Sequence, residues 1–562
     1  MATFARTLVT SALPYANGRI HIGHLAGAYL PADIFVRFLR MRGKDVLFVC
    51  GSDEHGVPIT LRAMEEGTTP QAVIDRFHGE NEAAFRAAGI DFDIYGRTSW
   101  PEHHAATAEF FRRLEAGGHI EKRTIQQYFS TKMSMFLPDR YVEGTCPKCG
   151  AANARGDQCD ACGTSYEVTD LRDPRSAVPG DGSTPVLRDS QHWFLRLDRF
   201  QERLGAWLEA KTEWRANTRG TALGWLREGL RPRCVTRDTE WGVEIPVDDP
   251  ERRGKRIYVW FDAPIGYVTN TRVWAARRGA PDAWERYWKA PDARIVHFIG
   301  KDNIPFHAII FPAMLAGQGD YTLPDAVVAN EYLNFLRAGE AAAVKFSKSR
   351  GTVVEVQAFV DTYGADRMRY YLTAIAPEGS DSEFSWTDFL RRTNGELADI
   401  LGNFIHRSLS FAVKNFDARV PAAGALDEAG RRALAAVAER RDEVGRLIER
   451  FQFRQAQIAM LELARLGNRY FDEQQPWATR RSDPARCAGT LHVCLQLGAG
   501  LARMMGPFLP ESAGRLAGML GVEDPHAPGA WGRIGEDLLA EGAPIRPPEI
   551  LFPKLMPEDV PQ

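Results

Sequence analysis

A buried strand, a helix and a second strand open this 562-residue chain; the alternation then breaks off near residue 118 and resumes near residue 256. That interruption limits the fold more than any other feature. Residues 6–11 read as a buried strand, 21–40 as a helix with Leu25, Tyr29, Ile34, Phe38 and Leu39 on its apolar face, and 45–50 as a second strand. Strand, helix and strand in this order make a parallel α/β unit, because a parallel crossover needs roughly the length of a helix. Ligands of such sheets meet the loops beyond the strand C-termini, here 12–18 and 51–56. The stretch 119–235 changes texture to short strands, paired cysteines and a Gly/Pro-rich segment at 173–185, which suits an inserted domain. From 388 onward the pattern is helical, and the Pro-rich end from Pro544 reads as a packed strap or a loose tail.

Charge and cysteines narrow the class. A formal net charge of -3 excludes a wholesale polyanion wrapper but leaves room for a local basic groove. No apolar run is long enough to cross a membrane, and the cytoplasm is the expected compartment. Of eight cysteines, Cys50, Cys234, Cys487 and Cys494 are scattered, while Cys146, Cys149, Cys159 and Cys162 form a CxxC…CxxC pair. Four thiolates at this spacing close a tetrahedral zinc shell with no open position, so one structural Zn²⁺ is expected; two free thiol pairs are the alternative.

Two short basic segments carry the chemistry. His21-Ile22-Gly23-His24 stands at a loop-to-helix junction, where backbone N–H groups favour phosphate and Gly23 lets a nucleotide ring approach. By itself it is equally a helix start with structural histidines. Lys345-Phe346-Ser347-Lys348-Ser349 offers two point charges to a triphosphate on a loop that Gly351 loosens, and by itself it is also an ordinary solvated turn. Neither is a P-loop. Their occurrence together, in this order, is what makes chance a poor explanation.

The pair resembles the signatures of class I aminoacyl-tRNA synthetases, with Phe346 where the family usually has Met. Residues 12–18, 51–56, 260–267 and 300–307 narrow the resemblance to the methionyl-tRNA synthetases, over about residues 5–540. The resemblance implies an α/β enzyme: a Rossmann-like parallel-sheet catalytic domain in two halves (1–118 and 236–325), an inserted zinc-knuckle domain (119–235), a linking domain with the lysine-serine loop (326–387) and a C-terminal helical bundle that binds the anticodon (388–562). It implies His21, His24 and Lys348 as catalytic residues, and Gly23, Lys301, Asp302 and Lys345 as further ATP contacts. Asp53 suits the methionine ammonium, and Tyr15, Trp260 and Tyr267 supply aromatic walls. Ala12, Leu13, Ala263, Pro264 and His307 match other positions of the family's methionine pocket.

What the resemblance implies beyond that is a partner list: L-methionine, ATP with Mg²⁺, and tRNA(Met), with no membrane and a monomeric state. Asn403 and Arg407 share a helix face and, with Trp477, match the family's anticodon readers; Arg391, Arg392 and Arg465 are weaker backbone candidates. Some members carry a second cysteine knuckle, whereas the corresponding stretch here, 173–180, has no cysteine. Another class I synthetase, or an inactive RNA-binding descendant, remains open on sequence alone.

Overall fold

The computed structural model describes residues 4–561 apart from 157, 158, 160, 163, 165, 338, 341 and 347–351. Five parallel strands form the central sheet: β1 (Arg6–Ser11), β2 (Asp45–Ser52), β3 (Ile94–Arg97), β4 (Ala293–Gly300) and β5 (Ala326–Asn330), in the order β5-β4-β1-β2-β3. All but the first residue of β1 and the first two of β2 are buried, as a sheet covered by helices on both faces requires. The winding runs from β1 outward through β2 to β3, then returns to place β4 on the other side of β1. The C-terminal ends of β1 and β4 therefore flank the switch point, where a crevice opens in such sheets.

The helix after β1 has three parts: Ile22–His24, a π-helical stretch Leu25–Tyr29 and Leu30–Met41. A second π-helical stretch, Phe306–Ile310, follows β4. Wide turns of this kind concentrate at functional sites, and these two follow β1 and β4, the strands that flank the switch point. The segment around Trp260 is helical: a short strand, Lys255–Ile257, pairs outside the central sheet and runs into helix Val259–Arg277. Pro264 sits inside that helix and brings no N–H, so the carbonyl of Trp260 loses its helical donor.

The insertion is an antiparallel sheet whose long strands, Ile120–Ser130 and Val186–Leu195, pair from Ile120↔Leu195 to Phe129↔Val186. A three-stranded sheet, Ala154–Arg155, Val142–Thr145 and Arg172–Ser176, carries the cysteines. The cysteine-free 173–180 stretch starts as the edge strand of that same sheet; Arg175 binds Glu143 at 2.8 Å and Ala177 N–H donates to Tyr141 O at 2.8 Å. Helices Glu428–Glu449, Phe453–Gln474 and Pro484–Met504 pack through one apolar cluster continuous with the core around the central sheet. The Pro-rich end is a strap: Leu551 and Phe552 are buried, and Tyr363 and Asn394 donate to the carbonyls of Asp559 and Leu555, each at 2.8 Å.

Candidate active site

His21 caps the helix that begins at the end of the β1 loop. Its Nδ1 accepts from Gly23 N–H at 3.1 Å, while His24 Nδ1 accepts from the His21 N–H at 3.1 Å, a capping box built from two imidazoles. The rings stack at 3.7 Å, and Phe346 stacks on His21 at 5.1 Å. A Cβ on Gly23 would lie 3.0 Å from the His21 ring and 3.1 Å from Phe346, so only glycine leaves this contact undisturbed. Residues 325 positions apart in the chain thus meet ring to ring (346 less 21).

The far flank of the lysine-serine loop returns to the same place. Ile22 N–H donates to Val354 O at 3.1 Å, His21 bridges Glu355, and Thr352 donates to Lys345 O at 3.3 Å. Lys348 lies outside the described residues, but Phe346 on one side and Val354 on the other both touch the histidine segment. Lys345 and Lys301 both lie against the ring of Tyr332, at 4.9 and 4.0 Å from its centroid, and the Tyr332 hydroxyl donates to Asp302. Lys301 is also clamped by Asp381 at 2.7 Å and Glu331 at 2.8 Å, so its charge is already matched by carboxylates. Tyr332, Glu331 and Asp381 carried no motif in the sequence; only folding brings them beside the lysines.

At the other side of the switch point, Tyr15 and Asp53 form a parallel bridge between the loops beyond β1 and β2. Asp53 is 2% exposed; burial, and then the charge on Asp262, hold its carboxyl well above the usual carboxylate range. Trp260 meets Tyr15 edge-on at 6.1 Å and stacks flat on Phe306 at 4.0 Å. Tyr267 donates to His307 Nε2 at 2.9 Å, and the His307 Nδ1 proton goes to Asn303 O at 3.1 Å. Burial pushes the imidazole down to about 4, against that backbone bond, so it is neutral at pH 7. Leu13 packs under Gly266, and Ala12, Ala263, Pro264, Tyr267 and His307 are all buried around the same loops. Phe306 is the wall that the sequence reading missed, although it adjoins His307.

The four knuckle cysteines converge. Cys146 Sγ lies 3.9 Å from Cys162 Sγ, Cys149 Sγ lies 3.6 Å from Cys159 Sγ, and all four atoms lie within 4.8 Å of one another. A tetrahedron with metal–sulfur bonds of about 2.3 Å has edges of about 3.8 Å, so the donors already match a Cys₄ metal shell. In the bundle, Arg407 (helix Asn403–Asn415) lies over Phe471 at 4.5 Å and pairs with Asp472 at 2.6 Å, and Phe471 sits 6.0 Å from the half-exposed ring of Trp477. Asn403, on the same helix, donates to Asn468 at 3.3 Å. Arg391, Arg392 and Arg465 are engaged by their own helix neighbours Asp388, Glu396 and Glu462.

A parallel sheet whose switch point is ringed by a two-histidine helix cap and a basic loop defines a class I tRNA synthetase, and residues 7–409 match the family model "tRNA synthetases class I (M)". Residues 420–562 match "Anticodon binding domain of methionyl tRNA ligase". The methionine–tRNA ligase of Parabacteroides distasonis is 48% identical over 556 residues, spanning 98% of this chain and 79% of that protein. That of Thermococcus kodakarensis is 46% identical over 530 residues, 92% of this chain and 70% of its own. Mycobacterium tuberculosis methionyl-tRNA synthetase in complex with methionyl-adenylate superposes with a TM-score of 0.79 at 29% identity, covering 98% of this chain and all of that one; its apo form gives 0.73 at 28%, over 99% of each chain. The chain belongs to the methionine–tRNA ligase family.

Proposed function

We propose that the loops beyond β1, β2 and β4 hold L-methionine and ATP so that the methionine carboxylate attacks the α-phosphorus, giving methionyl-adenylate and pyrophosphate. The terminal adenosine hydroxyl of tRNA(Met), initiator or elongator, then attacks the activated carbonyl and AMP leaves. No protein nucleophile is needed, so the work of the side chains is alignment and charge stabilisation. Asp53 takes the ammonium, and Tyr15, Trp260, Phe306, Leu13, Ala12, Ala263 and Pro264 enclose the side chain. The Tyr267 hydroxyl, oriented by neutral His307, meets the thioether. His21, His24, Gly23 N–H, Lys345 and Lys348 receive the phosphates, ATP arriving with Mg²⁺. Asp302 faces the nucleotide through Tyr332, and Lys301 braces Glu331 and Asp381 beneath it.

One observation carries this reading: Phe346 stacks on His21, which supports taking the histidine cap and the lysine-serine loop as two sides of one site. One Zn²⁺ on Cys146, Cys149, Cys159 and Cys162 holds the knuckle rigid. Asn403, Arg407 and Trp477 read the CAU anticodon, with Trp477 and Arg407 stacking on unpaired bases. The enzyme works as a cytoplasmic monomer; among the described residues no helix is long and apolar enough to cross a membrane. The test is ATP–pyrophosphate exchange across an amino-acid panel, followed by charging of a CAU-anticodon tRNA. Exchange is expected with methionine and to fall sharply in Lys348→Ala; exchange with leucine or cysteine but not methionine overturns the substrate.

A further inference from the structure

Asp262, in the first turn of helix Val259–Arg277, is a carboxylate that the mechanism above does not use, yet it is 0% exposed. Its Oδ2 accepts from His55 Nδ1 at 2.5 Å and lies 3.6 Å from His103 Nε2. Its Oδ1 has no hydrogen-bond partner among the described residues, and a buried carboxylate oxygen left in that state is costly. His55 ties this group to the substrate loop, since its backbone N–H donates to Asp53 Oδ1 at 3.4 Å while its ring holds Asp262. The arrangement is a hydrogen-bonded network and not a metal site: donors on one ion at about 2.0–2.2 Å stand about 3.3 Å apart, and His55 Nδ1 and Asp262 are closer than that.

We propose that Asp262 is a positioning residue of the ammonium site: His55 and His103 hold it as a second buried carboxylate, tied to Asp53 through His55, the pair keeps one proton while the site is empty, and the incoming ammonium displaces that proton. This rests on the reading that Asp53 binds the ammonium. Three elements surround the pair. The loop beyond β2 brings Asp53, Glu54 and His55, with Glu54 turned to Arg97, Ser52 and Ser99. Helix Pro101–Ala116 brings His103 and His104, whose buried Nε2 also has no partner among the described residues, and helix Val259–Arg277 brings Asp262 and Tyr267. Burial opposes ionisation of Asp262, but His55 and His103 hold it below the usual carboxylate range. Burial of Asp53 beside that charge raises it. The displaced proton therefore leaves from Asp53, and because the protonated fraction of the empty form grows as the pH falls, acid weakens methionine binding.

Calorimetric titration of the 562-residue protein with methionine, in buffers of different ionisation enthalpy between pH 6 and 8, counts that proton. About one proton per methionine is expected to be released in the wild type where Asp53 is protonated, with the KM for methionine rising up to about tenfold per pH unit on the acid side and kcat changing less. In Asp262→Asn, which keeps the burial of Asp53 but removes the second charge, the release at a given pH is expected to fall and the acid limb to move to lower pH, while Asp262→Glu restores part of both. No proton release from the wild type at any of these pH values overturns the proposal even if Asp262→Asn does not fold. Release from a folded Asp262→Asn equal to the wild type's at every pH overturns it too. Asp53→Asn separates the two readings: if it binds methionine as the wild type does, the ammonium assignment itself fails.

Discussion

Replacing Arg369 by Met should loosen the joint between the catalytic sheet and the helical bundle without touching the active site. Arg369 is 1% exposed, and its guanidinium spans three parts of the molecule. Nε and Nη2 donate to the carbonyls of Phe508 and Pro507, both at 2.9 Å, between the bundle helices Pro484–Met504 and Pro510–Leu520. Nη1 reaches Ala88 O at 3.3 Å, and Nη2 pairs at 2.6 Å with Asp33, on the helix that follows the histidine cap. Removing one partner of a buried ion pair costs about 3–5 kcal/mol. Arg37 stays 2.8 Å from Asp33 and keeps that carboxylate paired, so the lower end applies, about 3 kcal/mol. Spread over the local opening of the 505–509 turn, whose Phe508 and Leu509 N–H groups donate to Met505 O at 2.9 and 2.8 Å, this is about a 100-fold gain in amide exchange at about 1.4 kcal/mol per tenfold. Hydrogen-exchange mass spectrometry of peptides covering that turn reads the effect directly. Arg369→Lys should recover little, because an ammonium cannot serve four acceptors in a fixed fork. Exchange at the turn within threefold of the wild type in a folded Arg369→Met would refute the reasoning.

Two other perturbations separate the outlying sites from the chemistry. Chelation, or Cys146→Ser, is expected to release one zinc per chain, measured by elemental analysis, and to unfold the 142–176 knuckle as seen by proteolysis, since binding energy at such a shell is folding energy. Trp477→Ala and Arg407→Ala are each expected to lower kcat/KM for charging a CAU tRNA by about 10- to 100-fold, from the roughly 1–3 kcal/mol that a stacked base contributes. Pyrophosphate exchange should stay unchanged in both, and an equal loss in the two assays would show a structural effect instead.

The sequence made some things legible because they are local. Covalent neighbours decide that 6–11 and 45–50 are strands, that a helix starts beside Gly23 with no side chain in the way there, and that two CxxC pairs lie close enough to share an ion. Trp260 and Tyr267 could be named from their motif. Their place on one helix with a proline inside it was not legible, because β-branched and aromatic residues around 257–261 fit a strand as well as a helix start.

Identity, order and spacing of the motifs, and with them the family, were thus set by the chain itself. Which charges are matched by carboxylates was decided only by tertiary packing. Lys301 is a plain basic residue in the sequence, but Glu331 and Asp381 pair with it from segments that no local pattern relates. Asp53 and Asp262 are both plain aspartates until burial and the imidazoles of His55 and His103 push their proton affinities in opposite directions. The reason is range: hydrophobic periodicity and turn chemistry act over a few neighbouring residues, whereas charge and desolvation act between whichever groups the fold brings within a few ångströms.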